Sequence, residues 1–267
     1  IRDNTVFFYT SEQGNALPFA KWTLYDMGVQ TAMIVRWPGV IKPGSVTDAM
    51  GEYVDVVPTF IEIAGGRPDY GYLEGRSFLP VLKGRTNRHK SEVYAQATSR
   101  GVINGPDHYG IRSVRNERYV YVRNLTPDEL FRCENCDPGK HAYWASWIEA
   151  GTTNPAAREL VRRYQKRPYE ELYDRVNDPD EHHNLADAPK YAKIKKQLSK
   201  KLDAWMEREG DKGNETEMEA FEHQNSGQKG AQKAFLTSRP EDPRILLADP
   251  FIFEDKGIYY IYGTCAP

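Results

Sequence analysis

The chain has 267 residues, with 36 Lys and Arg against 38 Asp and Glu and a formal net charge of −2. That balance gives no electrostatic basis for nucleic acid or an anionic membrane surface as a partner. No apolar run reaches the ~20 residues of a bilayer-spanning helix, no signal peptide is visible, and the length fits one large or two small globular domains.

The first apolar run, Thr5 to Thr10, reads as a strand of a parallel sheet buried on both faces. It stops abruptly at Ser11-Glu12-Gln13-Gly14, and Lys21 follows before a second apolar run from Ala32 to Val35. Open α/β sheets bind ligands where their strands end. A carboxylate and an amide carbonyl at 12 and 13 are hard oxygen donors suited to calcium or magnesium. Gly14 permits a tight turn beside them, and Lys21 offers a point charge for a tetrahedral anion.

Farther along, Val54, Val57, Ile61 and Ala64 are spaced for the buried face of a helix that Gly65 and Gly66 end. Ile111 to Arg115 and Arg118 to Val122 alternate apolar and polar, as two strands of an antiparallel hairpin do. Cys133 and Cys136 form Cys-x-x-Cys in a turn-rich loop that lacks the four ligands of a structural zinc, which leaves a local disulfide or two loop thiols. Trp144, Trp147 and the stretch Ala156 to Tyr164 suggest a helical insert that packs on the core. Asn177, Asp178 and Pro179 are turn formers, and the neighbouring His182 and His183 point to opposite sides of most local structures. Tyr191, Ile194, Leu198, Leu202 and Trp205 recur at helical intervals, so the lysines around them occupy a wet face. Residues 210–243 have the composition of a linker or tail, and 244–267 read as a β-hairpin turning at Glu254-Asp255-Lys256-Gly257.

Several of these segments together resemble the sulfatase family of the alkaline-phosphatase-like superfamily. Thr10-Ser11-Glu12-Gln13-Gly14 is similar to the family's Thr-Ser-Asp-His/Asn/Gln-Gly, and Lys21 precedes Tyr25-Asp26 as a family lysine precedes Tyr-Glu/Asp. Ala32 to Gly39 resembles its strand ending in Arg-Trp-Pro-Gly. Glu74 to Leu82, Glu171 to Asp174 and Asn184-Leu185-Ala186 continue the likeness. The resemblance implies an α/β fold of the alkaline-phosphatase-like sulfatase type, present as its C-terminal half over residues 1–209, with a small antiparallel sheet and a packing helix. It implies Glu12 and Gln13 as Ca2+ ligands, with Glu in place of the more usual Asp, and Lys21 as a sulfate contact. His108 is offered to complete the substrate pocket, beside the plainer reading of an exposed loop histidine.

The implied reaction is hydrolysis of a sulfate ester or N-sulfate, with a sulfated small molecule or carbohydrate as partner, in the periplasm or outside the cell. The family's nucleophile is a formylglycine made from Cys or Ser in Cys/Ser-x-Pro/Ala-x-Arg, and Cys133, Cys136 and Cys265 do not lie in that motif. The nucleophile, the remaining metal ligands and the general-acid histidine are therefore expected in an N-terminal half upstream. The chain alone is expected to be inactive and to expose apolar surface where that half belongs. Two alternatives stand beside this one: a phosphoesterase or phosphonate hydrolase of the same superfamily, and a non-catalytic sulfatase-like binding module. The last two dozen residues resemble the opening blade of five-bladed β-propeller glycosidases of the arabinanase/xylosidase type. In that family the residue at Asp249 is the general base, but a stub supplies neither a closed propeller nor the paired carboxylates of glycoside hydrolysis.

Overall fold

A computed structural model describes residues 2–99, 108–220, 247–255 and 258–265, the last two stretches as backbone only. β1 (Phe7–Thr10) and β2 (Met33–Arg36) pair with each other antiparallel, from Phe7 opposite Arg36 to Thr10 opposite Met33. The doubly buried parallel strand expected from the apolar run is not what forms. The chain turns back through a loop and the one-turn α1 (Asp26–Val29), so the second run lies beside the first in the opposite sense. Phe7, Tyr9, Met33 and Ile34 stay exposed. Phe8 meets Phe60 and Phe78 at ring-centroid distances of 5.3 and 6.0 Å.

Phe60 belongs to α2 (Val56–Ile63), and Phe78 immediately precedes α3 (Leu79–Leu82). The face of α2 that the sequence marks for burial is turned the other way: Val54, Val57 and Ala64 are exposed, whereas Asp55, Pro58 and Thr59 are buried. Hydrogen bonding decides the orientation. Asp55 caps the preceding turn, with its carboxylate accepting from the backbone amides of Glu52 (2.9 Å) and Arg76 (2.7 Å), and Thr59 Oγ1 accepts from the amide of Phe78 at 3.0 Å. Gly75 permits this docking, because a Cβ there would lie 1.8 Å from the Val54 carbonyl oxygen.

The main sheet has the antiparallel order β3 (Val93–Ala97), β4 (Ile111–Arg115), β5 (Tyr119–Asn124), β6 (Glu170–Asp174). β4 and β5 form the hairpin their alternation predicts, with Ile111 opposite Asn124 and Arg115 opposite Val120. Because side chains alternate across a strand, the two faces bury different sets. Val114, Tyr121 and Leu172 meet α6 (Ala192–Arg208) through Leu198, Leu202 and Met206, and Tyr94 stacks on Trp205 at 5.3 Å. Burying each such leucine contributes about 1.5–3 kcal/mol. The opposite face carries Ile111, Val120, Val122 and Tyr173 against Leu24, Tyr25, Phe131, Trp144 and Tyr164, the last two from the helical pair α4 (Ala142–Thr153) and α5 (Pro155–Gln165).

Residues just after α6 have linker-like composition yet pack on the sheet. Asp211 pairs with buried Arg112, and Glu217 of α7 (Asn214–Met218) meets the same guanidinium at 2.9 Å. Residues 221–243 of the expected linker, and 244–246 after it, lie outside the described residues. β7 (Leu247–Asp255) and β8 (Ile258–Cys265) pair antiparallel, with Asp255 opposite Ile258 and Leu247 opposite Cys265. A register shift between Ala248 and Phe251 takes Asp249 and Pro250 out of the regular ladder, as suits a proline that cannot donate to it.

Candidate functional site

The end of β1 is tied down by Ser11. Its amide donates to the Ala32 carbonyl at 3.1 Å, its Oγ accepts from the Ala32 amide at 2.8 Å, and Tyr53 donates its hydroxyl to the Ser11 carbonyl. Beyond it, Gly14 adopts φ +61°, and a Cβ there would stand 2.7 Å from the Lys21 amide nitrogen. The loop closes on Asn15, whose carbonyl accepts from the amides of Leu17 (2.9 Å) and Lys21 (3.1 Å). By this route Lys21 Nζ comes to 2.7 Å from Glu12 Oε2, with side-chain exposures of 24% and 68%. Gln13, the next residue along from Glu12, is half-buried.

Phe19 and Trp22, on either side of Lys21, both occupy left-handed backbone (φ 61° and 68°), a conformation that bulky residues hold only when their surroundings enforce it. The enforcement is aromatic packing. Phe19 lies 5.2 Å from the Tyr164 ring with the Arg163 guanidinium 4.6 Å over it, and Trp22 packs against the cluster of Tyr109, Phe131 and Cys133. With both rings turned inward, the ammonium between them is presented to the Glu12 side.

The segment after Lys21 is anchored from the main sheet. Tyr25 donates to Glu171 Oε2 at 2.8 Å, and Tyr173 and Asn124 complete that buried carboxylate at 2.5 and 2.6 Å. Asp26 is held by Arg115 and by Arg175 at 3.0 Å, while its amide donates to Glu181 at 2.8 Å. Burial pushes the Glu181 carboxyl up to about 7, against the hydrogen bond from the Asp26 amide and the charges of Arg115 and Arg175, while the Asp26 carboxylate adds to the rise. Glu171, Arg115, Arg175 and Glu181 thus position the site, and the sequence reading missed them. Their signal is faint, since each is an ordinary charged residue, three in or next to a strand and Glu181 in the loop after β6.

Thr126 Oγ1 donates to the His108 carbonyl at 3.0 Å where the chain enters β4, and among the described residues no hydrogen bond joins the His108 ring to Glu12, Gln13 or Lys21. The side chain of Asp249 lies outside the described residues. His183 is 80% exposed beside Asp178, and Asn184 Oδ1 accepts from the amides of Leu172 and Ala186, both at 2.9 Å, so the late signature ties β6 to the approach to α6. No helix of the described residues is long and apolar enough to cross a membrane.

Residues 14–143 match the family N-sulphoglucosamine sulphohydrolase, C-terminal. An ulvan-active sulfatase of Formosa agariphila is 37% identical over 212 residues, which cover 79% of this chain and 39% of the relative. The human N-sulphoglucosamine sulphohydrolase is 27% identical over 222 residues, covering 77% and 42%. The structure of BT4656 in complex with its substrate D-glucosamine-2-N,6-O-disulfate superposes with a TM-score of 0.56 at 21% identity, covering 79% of this chain and 36% of that one. The chain therefore spans about two fifths of the length of these relatives. Family match, relatives and fold agree in likening the chain to the C-terminal portion of sulfatases of the alkaline-phosphatase-like fold.

Proposed function

We propose that this chain is the C-terminal part of an enzyme hydrolysing sulfate esters, or N-sulfate, on a sulfated carbohydrate. In this reading Lys21 binds a sulfate oxygen, and Glu12 and Gln13 contribute oxygen ligands to a calcium ion. The observation that carries it is the 2.7 Å contact between Lys21 and Glu12, which gathers a cation and a carboxylate at one strand end. Support for carbohydrate comes from a relative named for activity on ulvan and from the glucosamine disulfate bound in a neighbour of the same fold. A polymeric sulfated carbohydrate is met outside the cytoplasm, so the reading includes a periplasmic or extracellular location.

The donor chemistry at positions 12 and 13 fits calcium, which takes six to eight oxygens. The count is partial: among the described residues no group of three or more His, Cys, Asp or Glu could hold a metal ion. Glu12 and Gln13 thus serve as part of a coordination sphere. Bound calcium supplies positive charge that polarises sulfate oxygens. Lys21 has three ammonium hydrogens and directs one at Glu12, so it can orient a sulfate oxygen while Glu12 holds it in place. Phe19 and Trp22 keep the lysine from folding inward. The attacking group, a formylglycine by family resemblance, belongs to the part of the relatives outside this alignment.

The test is turnover by the whole enzyme on paired aryl sulfate and aryl phosphate esters. Sulfate ester hydrolysis that falls on calcium chelation supports the reading. Preference for phosphate or phosphonate ester assigns the other branch of the superfamily, and binding of sulfated oligosaccharide without turnover makes the protein a sulfatase-like binding module.

A further inference from the structure

Cys133 and Cys136 are both buried free thiols, 4% and 6% exposed. They bracket a single 3-10 turn, Glu134–Cys136, closed by the Cys136 amide donating to the Cys133 carbonyl at 3.0 Å. Three residues at a 3-10 rise of ~2.0 Å set their Cα atoms ~6 Å apart, inside the roughly 4.4–6.8 Å window of disulfides. The turn is wired to the Lys21 loop. Asn135, between the two cysteines, offers its carbonyl to the Tyr143 hydroxyl, and that hydroxyl is also 3.0 Å from the carbonyl of Ala16. Cys133 further lines a cavity of about 30 Å³ with Trp22, Tyr109 and Phe131. We propose that Cys133 and Cys136 form a reversible disulfide that staples the turn on which the Lys21 loop rests.

The local chemistry suits thiol–disulfide exchange with a low-molecular-weight disulfide. Cys136 and then the Tyr164 hydroxyl, at 3.0 Å, hydrogen-bond to the Cys133 sulfur and draw its thiol down to about 6, while the same partnership pushes Cys136 up. Cys133 is therefore the attacking thiolate. It opens the external disulfide, forms a mixed disulfide and expels one thiolate. Cys136, losing its proton, then attacks the Cys133 sulfur and expels the second thiolate. Two protein thiols are oxidised, one external disulfide is reduced to two thiols, and the cysteine protons pass to the departing thiolates. Arg132 and Glu134 stand on the outer side of the turn, so opening one turn admits the oxidant. No third His, Cys, Asp or Glu ligand joins the pair among the described residues, which separates this site from a structural zinc.

The experiment treats the 267-residue chain with oxidised glutathione, alkylates it under denaturing conditions and maps the peptides by mass spectrometry. The expected result is a linked Cys133–Cys136 peptide, reopened by reductant, and a thermal midpoint about 2–4 °C above that of the reduced chain. Cys136→Ser is expected to stop at a glutathione adduct on Cys133. Amide exchange over residues 15–22 should slow several-fold on oxidation of the native sequence and not in that variant. Cys133 and Cys136 both left alkylatable after oxidant, a stable glutathione adduct on Cys133 of the native sequence, or pairing of either with Cys265 overturns the disulfide. Unchanged exchange over 15–22 overturns the staple. These readouts need no turnover, so they stand apart from the role proposed for Lys21.

Discussion

Tyr25 donates its hydroxyl hydrogen to the buried carboxylate of Glu171 at 2.8 Å, across 146 residues of sequence. The bond fastens the segment that carries Lys21 to β6, the edge strand of the main sheet. Desolvation, and then the charge of Glu171, hold the Tyr25 phenol far above its ordinary range, so it stays a donor. Removing it by Tyr25→Phe leaves Tyr173 and Asn124 on Glu171. The expected loss is about 1–2 kcal/mol in urea unfolding, with faster amide exchange around Lys21.

Replacing Lys21 by Ala removes the ammonium that pairs with Glu12 beyond the end of β1. In the whole enzyme we expect kcat/KM on a sulfate ester to fall by roughly 10²-fold or more, the scale seen when one preorganised donor to a reacting oxyanion is removed. The far-ultraviolet circular dichroism and thermal midpoint should barely move, because the Lys21–Glu12 pair is largely solvent-screened. Unchanged turnover would remove Lys21 from the site.

Glu181 makes stability depend on pH in the direction opposite to most carboxylates. Its folded value near 7 lies above the ordinary 4.5, so between those limits the folded chain binds more protons than the unfolded one. Stability from this group is full below about 4.5 and is lost as pH rises through 7, by roughly 3 kcal/mol. Glu181→Gln should flatten that slope and leave the variant more stable than the native chain at pH 8, read by urea unfolding at a series of pH values. A parallel slope in the variant would dismiss Glu181 as its source.

Asp55 behaves conventionally. Burial alone would raise it, but hydrogen bonds from His89, Lys90 and the amides of Arg76 and Glu52 win and hold it at about 2, below its ordinary 3.8. Its contribution is present above about 3.8 and lost as pH falls through 2. Asp55→Ala leaves Lys90 with Glu52 as its one remaining carboxylate, takes the acceptor from His89 and the Arg76 amide, and opens the capping box of the turn that leads into α2. Urea unfolding at pH 7 should show a loss of about 3–5 kcal/mol.

Leu202 is fully buried between α6 and the main sheet. Leu202→Ala should cost about 2–5 kcal/mol and, by loosening α6, release the pairing of Asp203 with Arg123 at 2.7 Å. Calorimetry or denaturant titration measures the loss, and a change under 1 kcal/mol would show that α6 contributes little.

How much was legible in the sequence can be judged residue by residue. The β4–β5 hairpin and α6 were readable because period-2 and period-3.6 patterns follow from geometry local to the chain. The polar break at Glu12-Gln13-Gly14 and the lysine after it were likewise visible, since strand ends, turn glycines and charges have local signatures. The α2 face failed for a reason of the same kind: hydropathy spacing counts Val54 and Val57, and ignores that buried Asp55 and Thr59 have backbone amide donors waiting on residues 76 and 78.

By itself, then, the sequence determined the alternation of β4 and β5, the wet and dry faces of α6 and the chemistry offered at 12, 13 and 21, because each depends on neighbours within a few residues. Only the tertiary structure decided that β1 and β2 run antiparallel, that Lys21 Nζ turns onto Glu12, and that Tyr25 and Asp26 are gripped by Glu171, Arg115, Arg175 and Glu181. Those contacts join residues as far as 155 apart in sequence. Their free energy exists only once the main sheet has excluded water from both its faces.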